Sequence, residues 1–358
     1  MAGVTHIPGG RAMRRWRALA LGGAVAIAAG CGEQPATPTA SQQVEYTAAH
    51  PAFSALFQSP GEHVHILPVN GAAFAPFLAE TNRDNGNARP GGGGGGGTGI
   101  FSHGGPIVYN PRIVAIYWSN GTIYNGGPAA GTAGTGSADG SLVGLFLRSL
   151  GGSGYWNINN TYTDGSGGRV ANSLNYAAYW ADNTNVPASG SSVSDAAVQA
   201  EVAKGLTSGA LTFDPSTLFA VFSANGVNLG GGFGTQYCAY HGHFTWNGND
   251  VKYAVMPYDA QFPSACTDGT GISPTSDFAA AAEVNTLAHE TEETMTDEDL
   301  NAWYDRRGNE NADKCAWNFG ATTATSTGTA NQTLGGVNWL IQMNWLNANS
   351  GGCVQHWP

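Results

Sequence analysis

Between Leu287 and Asp297 the chain reads Leu-Ala-His-Glu-Thr-Glu-Glu-Thr-Met-Thr-Asp, which sets His289 and Glu293 four residues apart with Glu290 beside the histidine. On a helix, residues i and i+4 lie one turn apart on one face, so two such side chains can share a metal ion. The spacing is one letter from H-E-x-x-H, in which two histidines hold zinc and the glutamate acts on metal-bound water. A carboxylate in place of the second imidazole adds negative charge. It weakens the metal's power to acidify water and favours harder ions over zinc; a histidine with two carboxylates is still chemically reasonable for zinc and could hold manganese or calcium.

On a helical projection, Glu293, Asp297 and Glu290 fall within about 100° of His289, while Ala280, Val284, Leu287, Ala288 and Met295 gather on the opposite side. A solvated acidic face is the plain expectation for such a helix, but two features favour a bound cation. No lysine or arginine occurs between Lys252 and Arg306. Glu290, Glu292, Glu293, Asp297, Glu298 and Asp299 therefore repel one another near a helix C-terminus, where the macrodipole disfavours anions. Downstream, Asp305-Arg306-Arg307-Gly308-Asn309-Glu310-Asn311-Ala312-Asp313 offers three more carboxylates around a glycine turn just before Cys315. A segment returning to the helix there can complete a metal site, chelate calcium through hard oxygens, or be a surface turn. His241 and His243, two apart on an expected strand, share a face. They read either as hairpin histidines or as cleft residues, with His241 placed to contact substrate or the transition state.

These residues need elements to position them. Arg112 to Trp118 and Thr217 to Ser223 are apolar, β-branched runs ended by turn residues and read as buried strands. Gln236 to Phe244 and Val251 to Pro257 flank Asn247-Gly248-Asn249-Asp250 and read as a hairpin. Ser141 to Leu150 is a short helix stopped by two glycines, Ser194-Asp195 caps a second, and the motif helix begins near Ser276-Asp277. Strands, backing helices and a long motif helix in this order predict an α+β fold with a mixed sheet and long Gly/Asn-rich loops.

The ends of the chain set its context. Arg14, Arg15 and Arg17, the apolar run Ala18 to Ala29, and small residues before Cys31 form an export signal over residues 1–30, too short to span a bilayer. Met13 directly precedes those arginines and is an alternative start. Ala28-Ala29-Gly30-Cys31 resembles a lipobox, so Cys31 is a candidate lipid anchor and the only expected tie to a membrane. Residues 31–99 read as a tether or pro-segment with apolar patches at Phe53 to Phe57 and Val64 to Val69, ending in a linker with seven consecutive glycines, Gly91 to Gly97. The folded domain is expected over 100–358. Four cysteines remain there, and proximity in sequence pairs Cys238 with Cys266 and Cys315 with Cys353, one of three possible connectivities.

The chain has 14 basic and 25 acidic residues; with Arg11, Arg14, Arg15 and Arg17 removed with the leader, 10 basic residues remain and the formal charge is −15. Nucleic acid and anionic lipid are excluded as partners on that balance. Aromatics and amides leave polysaccharide open as a ligand, although Trp303, Tyr304, Trp317, Trp339 and Trp345 are of the kind that more often serve packing.

Gly104-Gly105-Pro106-Ile107, Tyr237-Cys238-Ala239-Tyr240-His241, the block from His289 to Asp297, Asn301-Ala-Trp-Tyr-Asp and Gly308 to Cys315 together resemble the bacterial branch of the phosphate-induced, exordium-like secreted proteins. Leu340 to Trp345 fits that family's closing strand. The resemblance covers most of 100–358 and implies a zincin-like fold. It makes His289 and Glu293 the first two metal ligands, Glu290 the general base, and Glu310 or Asp313 the third ligand, with Asp297 behind them. It implies an extracellular or envelope hydrolase acting on peptide or protein, or alternatively a non-catalytic matrix protein binding calcium or polysaccharide.

Overall fold

The computed structural model describes residues 64–70, 99–306 and 308–358. The expected export signal, Cys31 and the glycine-rich stretch lie outside the described residues. A seven-stranded mixed sheet organises the rest. In chain order its strands are β1 (Val64–Pro68), β2 (Arg112–Trp118), β3 (Ala133–Thr135), β4 (Asn175–Trp180), β5 (Thr217–Ser223), β6 (Tyr237–Trp246) and β7 (Asn249–Met256). Across the sheet they run β1-β6-β7-β5-β2-β4-β3. The inner four, β7, β5, β2 and β4, are mutually parallel, while β6 is antiparallel to β7 and β1 antiparallel to β6.

Alternation along β2 and β5 sorts the core into two layers. Ile113, Ala115, Tyr117, Leu218, Ala220 and Phe222 face helices α1 (Leu142–Leu150) and α3 (Phe278–Thr296). Val114, Ile116, Phe219 and Val221 face α2 (Asp195–Ser208). Continuous apolar runs are what strands covered on both sides require. The helices start where capping chemistry dictates: the Ser141 hydroxyl accepts from Gly144 N, Ser194 from Ala197 N, and the Asp277 carboxylate from Ala280 N. Gly209, at φ 78°, ends α2 in the left-handed conformation that a side chain resists.

The β2, β5, α1 and α2 expectations stand at or within a residue of the observed bounds, and both disulfides form as paired from sequence, Cys238–Cys266 and Cys315–Cys353. Three details differ. The hairpin loop is only Asn247-Gly248, both at positive φ, with Trp246 paired to Asn249; two left-handed residues match the strand twist better than a four-residue loop. The expected closing strand over Leu340 to Trp345 shrinks to Asn344–Trp345, paired with Cys353–Val354. Most consequential, the sheet takes in residues before the expected start at Ile100. β1 pairs along β6 with Val64 opposite Gly242 and His65 opposite His241. The apolar patch at Val64 to Val69 is thus an edge strand, with Leu67 fully buried and the Pro68 carbonyl accepting from Trp317 Nε1 at 2.9 Å.

Candidate metal centre

Three segments bring the ligand-type residues together. α3 supplies His289, Glu290 and Glu293; β6 supplies His241 on the sheet face shared with Ala239, toward α3; and the turn before Cys315 supplies Glu310 and Asp313. The return of that turn is fixed at its base, where Asp313 N donates to Glu293 Oε1 at 2.9 Å and Glu310 N donates to Asp313 Oδ2 at 2.9 Å. The Cys315–Cys353 disulfide anchors the next residues. Asp305, the first acid of the loop, stays outside the site, accepting from Asn309 N and bridged to Lys314.

The solvated-face expectation for α3 is overturned. Every residue from Ala280 to Thr296 is buried, because the polar side meets β6, β1 and the 308–315 turn instead of water. The acids of the run also part company. Glu292 turns away and accepts from Asn344 Nδ2 at 2.6 Å, and Glu298 is neutralised by Lys252 at 2.8 Å. Asp297 is buried but caps the following turn, accepting from Ala302 N at 2.5 Å. Its second oxygen is unpaired, and it belongs to none of the potential ligand groups. His243 shares the face of His241 but sits at the rim with Asp250 at 2.6 Å and Asp299 at 3.8 Å.

Sequence reasoning missed two residues. His65, on β1, places Nε2 2.5 Å from Asp313 Oδ2 and Nδ1 3.2 Å from Glu310 Oε1. Its signal was visible as a histidine inside the short apolar run Val64-His65-Ile66-Leu67, but nothing local says which sheet edge that run joins. Gln342 holds the back of the His289 ring, with Nε2 3.0 Å from Nδ1 and donating to the Ala312 carbonyl at 2.9 Å. As placed, the amide donates to Nδ1 and so keeps the proton of a neutral His289 on Nε2; a metal on Nε2 requires the amide turned with its oxygen toward the ring, at the cost of its bonds with the Ala312 carbonyl and Trp317 N.

The distances inside the cluster fit coordination better than they fit direct pairing. His289 Nε2 lies 3.1 Å from Glu293 Oε1 and 3.5 Å from Asp313 Oδ1, and His241 Nε2 lies 3.8 Å from Glu310 Oε2. Two atoms each bound about 2.1 Å from one ion sit roughly 3.0–3.5 Å apart at right-angled to tetrahedral geometry. His289 Nε2, His241 Nε2, Glu290 Oε1, Glu293 Oε2, Glu310 Oε2 and Asp313 Oδ1 are all buried without a hydrogen bond of acceptable angle. Orphaned polar atoms of this kind are rare in folded proteins, and six in one place need a common partner. Three overlapping groups, each containing Glu293, are compact enough to hold an ion: His289 with Glu290, His65 with Asp313, and His241 with Glu310.

Electrostatics leads to the same place. Burial drives Glu290 and Glu310 far above the carboxylate range, with neighbouring acids adding to the shift. Burial opposes a charge on His289, yet Glu293, Asp313 and Glu290 outweigh it and hold its pKa well above the ordinary value. His241, buried and facing His65 and His289, is pushed well below and stays neutral. Four carboxylates against three imidazoles, one of them neutral, leave a negative balance that protons or a cation must offset.

Glu290 is oriented by His241, whose Nδ1 lies 2.9 Å from Oε2. The five aromatics considered as a sugar platform are packed: Trp339 is fully buried, Trp303 Nε1 donates to the Thr163 carbonyl, Trp317 Nε1 to that of Pro68, Tyr304 stacks on His103, and Lys314 covers Trp345. Comparison with family models, curated proteins and solved structures finds no match to this chain.

Proposed function

We propose that this protein is an exported, metal-dependent hydrolase of zincin-like architecture, a metallopeptidase by its donor set and by the strand that borders its ligand cluster. The observation that carries the reading is the convergence of unpartnered, fully buried ligand atoms from α3 and the 310–313 turn. His289, Glu293 and Asp313 would hold the ion, with Glu310 on its far side. Bound there, a zinc or manganese ion would lower the pKa of a water and polarise a carbonyl oxygen. Glu290 would act as general base: burial raises its affinity for a proton, and a cation held beside it would keep it as the carboxylate that takes the proton from water. His241 would position Glu290 by donating from Nδ1, and in its neutral form the unprotonated Nε2 is left as a candidate ligand atom facing the cluster.

Three imidazoles within one cluster argue against calcium, which takes oxygen ligands, and for zinc or manganese over the calcium-bound matrix alternative. Two disulfides support an oxidising, extracytoplasmic location. Among the described residues no helix is long and apolar enough to cross a membrane, so attachment rests on Cys31. The resemblance to the bacterial exordium-like proteins at 289–297 and 308–315 is part of this reading. Its test is hydrolysis of a broad peptide library by metal-loaded protein cut within residues 71–98 and freed of the released β1 segment, with Glu290→Gln treated in the same way as the control. Cleavage is expected in the wild type alone; a library untouched by protein carrying stoichiometric metal would overturn the peptidase assignment.

A further inference from the structure

Among the described residues β1 is one of the two edge strands of the sheet, and it lies along β6, the strand that carries His241 into the candidate metal centre. An extended peptide recruited to a sheet edge binds this way, through main-chain hydrogen bonds with alternate side chains directed into the site. β1 does both. Its register runs Val64–Gly242, His65–His241 and Ile66–Tyr240, and the side chain directed inward is a histidine. His65 reaches Asp313 and Glu310 and stands 3.9 Å from Glu293 Oε2. With β1 in place, His241, His289, Glu290 and Glu293 have no exposed surface.

A catalytic metal keeps one position open for water or substrate, whereas a fully protein-ligated ion is structural. Resting on the hydrolase reading above, we propose that His65 is a further metal ligand delivered by β1, and that β1 occupies the place of an extended substrate strand, so the chain carries its own occupant of the site. Ile66 and Leu67 bury into the layer beneath β6, and Asn70 N donates to the Ala265 carbonyl at 2.7 Å, which holds the strand down. The sequence between β1 and the domain contains Gly91 to Gly97, where a single cut would turn a tethered occupant into a dissociable one.

The experiment compares full-length wild type with His65→Ala after loading with cobalt(II), a spectroscopic substitute for zinc, and titrates both with acetohydroxamate while following the visible absorption. An occupied site lowers the apparent affinity for an added ligand by the fraction of time it is open, so the variant is expected to bind acetohydroxamate about tenfold more tightly or better. X-ray absorption at the cobalt edge should show one imidazole fewer in the variant. Wild type nicked within residues 71–98, with the released peptide washed away, should behave like the variant and covers the case in which His65→Ala fails to fold. Equal affinity and equal imidazole count in all forms would overturn this inference alone; a wild type that takes up no cobalt would overturn the metal centre as well.

Discussion

Glu293 is the side chain on which the candidate ligand groups meet, and its replacement is the sharpest single-residue perturbation of the site. Glu293→Gln preserves shape and removes charge, and it should lower metal affinity by about 100-fold or more, read as metal retained after dialysis against a weak chelator. Glu290→Gln should leave metal content unchanged and reduce kcat by roughly 10²–10⁴-fold, since a general base contributes on that order. Equal metal loss in both variants would mean that Glu290 is a ligand. At this scale much was legible. His289, Glu290 and Glu293 share a face because helical spacing puts them there, and the crowding of acids with no nearby base already argued for a cation. Glu310 and Asp313 were found as candidates because a glycine turn before a cysteine returns the chain to the helix. His65 is not legible: its role depends on a strand pairing that sets it opposite His241, far away in the sequence, and no local pattern fixes such a partner.

The strands and helices were easier to read than their neighbours. β2 and β5 are recognisable because burial on both faces demands unbroken apolar runs, and α1 and α2 because Ser141 and Ser194 cap them. The motif helix reads as two-faced, with a solvated acidic side as the plain expectation and a bound cation as the favoured one. The projection separates polar from apolar correctly, but it cannot say that a second layer covers the polar side. The turn carrying Glu310 and Asp313 is held by the Cys315–Cys353 disulfide, which closes a 38-residue separation. Replacing both cysteines with serine should lower stability by about 2–4 kcal/mol and weaken metal binding in the same protein. Denaturant unfolding and metal titration check the two arms; a loss of stability with unchanged metal affinity would mean that the turn is positioned by its hydrogen bonds to Glu293 alone.

For the whole molecule, a second buried acid pair makes stability depend on pH apart from the metal centre. Asp259, after β7, donates its N–H to Glu283 Oε2 on α3 at 3.3 Å, and Thr286 donates to Asp259 Oδ2 at 2.6 Å. Burial pushes Glu283 up from 4.5 to about 8 and Asp259 well above its usual range. The folded state therefore binds the proton more tightly than the unfolded chain. Its contribution is fully present below about pH 4.5 and is lost as pH rises through about 8, at a slope of at most about 1.4 kcal/mol per pH unit for one proton. With metal loading held constant, Glu283→Gln should flatten the fall of Tm across that window, and parallel Tm curves would contradict the assignment. The measurement that bears most directly on the molecule as a whole is the metal content of purified full-length protein, by elemental analysis, beside His289→Ala and Glu293→Gln. The expected result is about one zinc or manganese per folded wild-type chain and a loss of that metal in both variants. A wild type without transition metal, or variants that keep it in full, would contradict a metal centre built on His289 and Glu293.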